Sequence, residues 1–195
     1  MSTTRKLKLS FNSPVVLTFS MICLVSLILG IATHENTTRL LFSVYRSSLL
    51  DPFTYVRFIG HVFGHAGWEH FIGNITLLLV VGPMLEEKYG SGNILFVILA
   101  TAIITGVIHF IFFPNVMLLG ASGVVFAFIL LASFASFKEG TIPVTFILVA
   151  IVYIGGQIYQ GVFIQDNVSN LTHILGGGVG SALGYVMGKN KMSRY

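Results

Sequence analysis

The chain has 195 residues, of which 54% are hydrophobic and only 9% charged, with a mean hydropathy of +0.87. A water-soluble domain of this length needs far more charged surface, so a lipid bilayer is the natural solvent. The net charge of +4 comes largely from basic residues near the chain ends, a pattern of membrane orientation rather than of a nucleic-acid surface.

Six apolar stretches follow one another, at Pro14–Ala32, His70–Leu85, Asn93–Phe113, Ser122–Phe137, Ile142–Tyr159 and Leu171–Met187. Each approaches the ~17–25 residues that cross hydrocarbon as a helix, which predicts an all-α polytopic membrane protein. The first stretch follows Arg5, Lys6 and Lys8 as a secretory signal would. Five more stretches come after it, so it reads as an uncleaved span. One helical unit over 14–188 is expected, between short tails at 1–13 and 189–195. With the N-terminus in the cytoplasm, the inner side receives Arg5, Lys6, Lys8, Lys88, Lys138, Lys189, Lys191 and Arg194. Only Arg39, Arg46 and Arg57 fall outside, in keeping with the positive-inside tendency. Both ends are then cytoplasmic, and the cell membrane is the expected location.

The longest connection, His34 to Glu69, lies outside and carries Leu40, Leu41, Phe42, Val44, Phe53, Tyr55 and Phe58. Its amphipathic composition predicts short helices at the membrane interface. Lone Cys23 in an apolar run offers neither a disulfide framework nor a metal cluster. Four Asn-x-Ser/Thr sequons, at Asn36, Asn74, Asn167 and Asn170, are weak signals, and Asn74 falls inside a span.

Polar residues inside spans are costly and ask for a reason. Glu86, Lys138 and Lys189 mark the inner ends of the even-numbered spans, and sixteen residues before them stand His70, Ser122 and His173. At 1.5 Å per residue all three lie ~24 Å above the inner boundary, near the outer helix ends. Ser122 sits in Gly120-Ala121-Ser122-Gly123, after a Pro114-Asn115 break. Small neighbours leave its hydroxyl open, and a helix start supplies N–H groups suited to an oxyanion. Taken alone it reads equally as an N-cap or a packing residue. His173 can serve as general base, and alone it reads as a packing histidine bonded to a carbonyl. Paired at one depth, catalysis is the better reading of both.

Gly176 and Gly180 share the helical face of His173, which permits close backbone approach, and the fourth span is the apt partner. His70 and Asn74, four apart on one face, can donate to a developing negative oxygen or act as a cap and an interhelical contact. A metal reading of His61, His65 and His70 matches neither the His-Glu-x-x-His pattern nor a zinc-finger spacing. His109 has no evident partner and reads as structural.

Together these residues resemble the rhomboid intramembrane protease family. The matching pieces are Arg57-Phe58-x-x-His61-x-x-x-His65, His70-x-x-x-Asn74, Glu86-x-x-x-Gly90, Gly120-Ala121-Ser122-Gly123 and His173-x-x-Gly176-x-x-x-Gly180. The likeness runs from about Tyr55 to the C-terminus. It implies a six-helix bundle and a Ser122–His173 dyad without a third acid, metal or cofactor. The implied oxyanion hole is His70, Asn74 and the Ser122 N–H. The fifth span and the loop through Gly161–Asn167 are implied as a gate for transmembrane protein substrates. Two positions depart from the pattern: Val56 stands where Trp is frequent, and Phe126 where Tyr is common beneath the histidine. Two rival classes remain beside this reading, a small transporter or channel, and a non-catalytic binder of membrane proteins.

Overall fold

A computed structural model describes residues 11–134, a few positions between 144 and 155, and residues 167–192. The fifth expected span and the loop through Gly161–Asn167 lie largely outside the described residues, as does the end of the fourth span beyond Phe134. Among the described residues the secondary structure is helical, save for one isolated antiparallel bridge between Val44 and Leu118.

Helix α1 covers Pro14–Ala32, the bounds expected from the apolar run. Two short outer helices follow, α2 (Asn36–Leu41) and α3 (Pro52–Gly60), then a 3₁₀ turn at His61–Phe63. The long helices α4 (Trp68–Tyr89) and α5 (Ser91–Phe112) come next, then α6 (Ser122–Phe134) and α7 (Asn167–Met192). Helices α1, α4 and α5 are each long and apolar enough to cross a membrane, and α6 is a shorter apolar helix. Their buried seam includes Leu78, Leu85, Val97, Ile98, Val124 and Phe128.

At one end of this bundle Glu86 ties three helices together. Its carboxylate accepts the backbone N–H groups of Val15 and Val16, each at 3.0 Å, and the Ser91 hydroxyl at 2.7 Å. Amide N–H groups in a helix's first turn lack partners within the helix, and a negative charge there is favoured by the helix dipole. Glu86 is therefore buried rather than a solvated boundary mark, and α4 runs on to Tyr89. The helix stops at Gly90, whose φ of +86° suits a residue without a Cβ.

At the opposite end the segment between α1 and α4 folds into a cap. Asp51 accepts the Phe53 N–H at 3.0 Å and starts α3, with Pro52 in its first turn. Arg57 is buried beneath the cap. It donates to Ser47 Oγ at 2.8 Å, Asp51 Oδ2 at 2.9 Å and Thr54 Oγ1 at 3.0 Å, and lies over the Tyr45 ring. The guanidinium holds the Asp51 carboxyl below its usual range. Val44 and Leu118 exchange two backbone hydrogen bonds of 2.9 Å, which strap the cap to the α5–α6 loop. Arg46 closes the end of α5 by donating to the carbonyls of Phe110 and Ile111, each at 3.0 Å.

Candidate active site

The turn that leads into α6 is shaped by the cap above it. Gly120 has φ +134° and donates its N–H to the His61 carbonyl at 2.9 Å. Only glycine adopts that backbone readily, and space imposes the same choice. A methyl group at 120 would lie 2.8 Å from His70 Cε1, 2.9 Å from His70 Nε2 and 3.7 Å from Ser122 Oγ. His70 and the Ser122 hydroxyl thus flank a single bare Cα, and Ser122 is the first residue of α6. The depth match inferred from spacing corresponds here to real proximity.

His173 reaches the same region from α7. Its ring packs against Phe126, one turn beyond Ser122, with centroids 4.5 Å apart and planes tilted by 47°. A methyl on Gly123 would touch Thr172 Cγ2 at 3.4 Å, so the neighbours of Ser122 and His173 are also in contact. Below them a side chain on Gly176 would collide with the backbone of Gly123, and one on Gly180 with the backbone of Ala127. The small face of α7 therefore seats directly on α6, the helix expected as its partner. Phe126 supplies the aromatic packing under His173 without a hydroxyl.

On α4, Asn74 is buried and its Nδ2 has no hydrogen-bond partner among the described residues. A buried donor left unmade costs free energy unless something else arrives to accept it. His70 accepts the Ala66 N–H on Nδ1 at 3.4 Å, just ahead of the start of α4. Its Nε2 faces Gly120.

The other histidines have separate duties. His61 Nδ1 donates to the Arg57 carbonyl and Nε2 meets Thr105 Oγ1, each at 3.2 Å. His65 Nδ1 donates to the Phe63 carbonyl at 3.2 Å, and its ring meets that of His70 edge to face, 5.0 Å away. Burial, the main cause, pushes both outer histidines down to about 4, so both are neutral at pH 7. No metal-holding group of three His, Cys, Asp or Glu occurs among the described residues, and the trio His61, His65 and His70 is divided among these other contacts. His109, expected to lack a partner, has one: Nε2 donates to the Val116 carbonyl at 2.9 Å and the ring stacks on Phe113. It pins the α5–α6 loop.

Sequence reading missed the cap's direct hold on the turn before Ser122, through His61 to Gly120 and Val44 to Leu118. It also missed the Ala66 N–H and the capping of α1 by Glu86. Gly120 carried the one available signal, a glycine two residues before the serine. The remainder are backbone contacts, which have no signature in residue type.

A family profile for the Rhomboid domain matches residues 52–190. Rhomboid-related protein 1 of Caenorhabditis elegans is 31% identical over 141 residues, covering 67% of this chain and 39% of that protein. Rhomboid-related protein 2 of Mus musculus is 31% identical over 144 residues, covering 67% and 47%. Rhomboid protease GluP of Bacillus subtilis (strain 168) is 28% identical over 148 residues, covering 73% and 28%. The match spans under half the length of each of these relatives. With its profile match over most of the length and its apolar spanning helices, the chain is an integral membrane protein that belongs to the rhomboid family.

Proposed function

We propose that this chain is an intramembrane serine endopeptidase that cuts transmembrane or membrane-adjacent segments of other membrane proteins. The observation that carries the proposal is the arrangement at the start of α6. Ser122 Oγ and His70 Nε2 flank Gly120, while His173 packs on Phe126 one turn along the same helix. In this reading six spans form the bundle, with both termini on the Glu86 side in the cytoplasm.

His173 accepts the proton of Ser122 as the hydroxyl oxygen attacks a substrate carbonyl. The resulting oxyanion is met by the Ser122 N–H at the helix start, His70 Nε2–H and Asn74 Nδ2–H. The same imidazolium protonates the departing amine, leaving an acyl-enzyme on Ser122. His173 then activates a water that resolves it. Hydrolysis requires a water-filled approach from the capped end of the bundle. A substrate helix must unwind locally to present its carbonyl, so residues that weaken helices near the cut favour cleavage. By the family resemblance, the segment of the fifth span and the loop through Gly161–Asn167 form the substrate gate.

The test is labelling of the purified chain by a fluorophosphonate, together with cleavage of a model transmembrane substrate. Wild type should label and cleave, and Ser122→Ala and His173→Ala should each do neither while still inserting. Because the dyad acts as a unit, the double variant should be scarcely slower than either single one. Undiminished cleavage by Ser122→Ala would end the Ser122 protease reading, and a wild type that neither labels nor cleaves would favour a transporter or a non-catalytic binder.

A further inference from the structure

We infer that the backbone N–H of Ala66 fixes the tautomer of His70, placing its single proton on the nitrogen that faces the nucleophile. The inference rests on the protease reading for its functional meaning, while the tautomer follows from geometry. A backbone N–H only donates. The Ala66 N–H is directed at His70 Nδ1 at 3.4 Å, so Nδ1 must present a lone pair there. A neutral imidazole carries one proton, which leaves it on Nε2. Even at this length, moving the proton to Nδ1 would set two N–H groups head to head.

Three further features direct that proton into the site. Gly120 leaves open the space beside Nε2, where a methyl group would sit 2.9 Å away. The His65 ring stands edge-on to His70 at 5.0 Å and is itself held by Phe71, 5.5 Å away. His65 is locked in turn, because its Nδ1–H is committed to the Phe63 carbonyl. The stretch 63–67 thus orients the imidazole and, through one amide, chooses its proton. An oxyanion hole needs donors already aimed where charge develops, since reorganisation during the reaction weakens stabilisation. Without the Ala66 amide, some molecules would present the Nε2 lone pair to the oxyanion and repel it. Ala66 is in this sense a positioning residue, and its side chain, which is exposed, takes no part.

Replacing Ala66 by its α-hydroxy analogue turns that amide into an ester and deletes the N–H alone. Histidine ¹⁵N spectra of the full chain in detergent then report the tautomer, with the His70 signals assigned by their loss in His70→Gln, or in His70→Asn should the first fail to fold. The intact chain should show Nε2 protonated, and the ester chain a mixture of tautomers. Turnover should fall in the ester chain with KM little changed, by less than the ~10²–10³ that follows outright loss of an oxyanion donor. In His70→Gln the side-chain amide has no tautomer to choose, so the ester should cost nothing more there. Protonated Nδ1 in the intact chain, an unchanged spectrum in the ester chain, or equal losses in both backgrounds would overturn the inference. The spectra need no activity. Cleavage surviving in Ser122→Ala would defeat the protease reading instead, and leave the tautomer result standing.

Discussion

Asn74 shows how far single residues decide this site. Its amide is buried with Nδ2 unpartnered, one turn along α4 from His70. A residue kept only for packing would be expected to satisfy its donors. Asn74→Ala should therefore cost turnover, about 10²-fold or somewhat less where the other donors compensate, with little change in KM. Melting temperature should hold or rise slightly, because an unmet buried donor has been removed. Measuring kcat beside melting temperature separates this from a packing role, which predicts lower stability and normal turnover per folded molecule. Ser122, His173, His70 and Asn74 were legible in the sequence as candidates, because polar groups in apolar spans are conspicuous. The direction each one faces was not, since it depends on chain segments distant in sequence.

Helices meet differently at the two ends of the bundle, and the difference is testable. At the α6–α7 crossing, a Cβ at 180 would overlap the carbonyl of Ala127, which is backbone and cannot swing aside. Even Gly180→Ala must push the helices apart. A shift of ~1 Å at the reacting groups can cost ~10²-fold in rate, so activity and melting temperature should fall together. Glu86→Ala acts at the other end, where it strips acceptors from the first-turn amides of α1. Losing buried hydrogen bonds to a charged group costs about 1.5–3 kcal/mol apiece. It should lower the melting temperature yet leave turnover per folded molecule close to wild type. A Gly180→Ala chain with full activity, or a Glu86→Ala chain as stable as wild type, would contradict these roles. Among the described residues three of the expected spans, α1, α4 and α5, were readable from apolar length, and α1 begins and ends where composition says it should. Helix α4 outran its expected end because Glu86 finds amide donors in a neighbouring helix instead of water. That pairing is tertiary, and no local pattern announces it.

At the scale of the whole molecule, the cap holds two buried histidines that make it sensitive to acid. His61 and His65 are buried there and pushed down to about 4 chiefly by desolvation, with His109 and His70 respectively adding to the effect. Unfolded histidine titrates near 6.5, so between about pH 6.5 and 4 the unfolded chain binds more protons than the folded one. Stability therefore rises with pH across that window, is level above it, and is lost as pH falls through it. With both groups titrating, the slope should approach about 2.7 kcal/mol per pH unit at its steepest. The consequence for function comes through the His61 carbonyl, which holds Gly120, and through the Val44–Leu118 bridge. Acid should loosen the cap and release the Gly120–Ser122 turn. Melting curves in detergent from pH 8 to 4 test the first part, and hydrogen-exchange protection at the Gly120 amide tests the release. Replacing His61 and His65 together by Gln should flatten the slope between pH 6.5 and 4. An unchanged slope in that variant would assign the acid sensitivity to other groups, and full protection of the Gly120 amide down to pH 4 would separate the cap's titration from the turn.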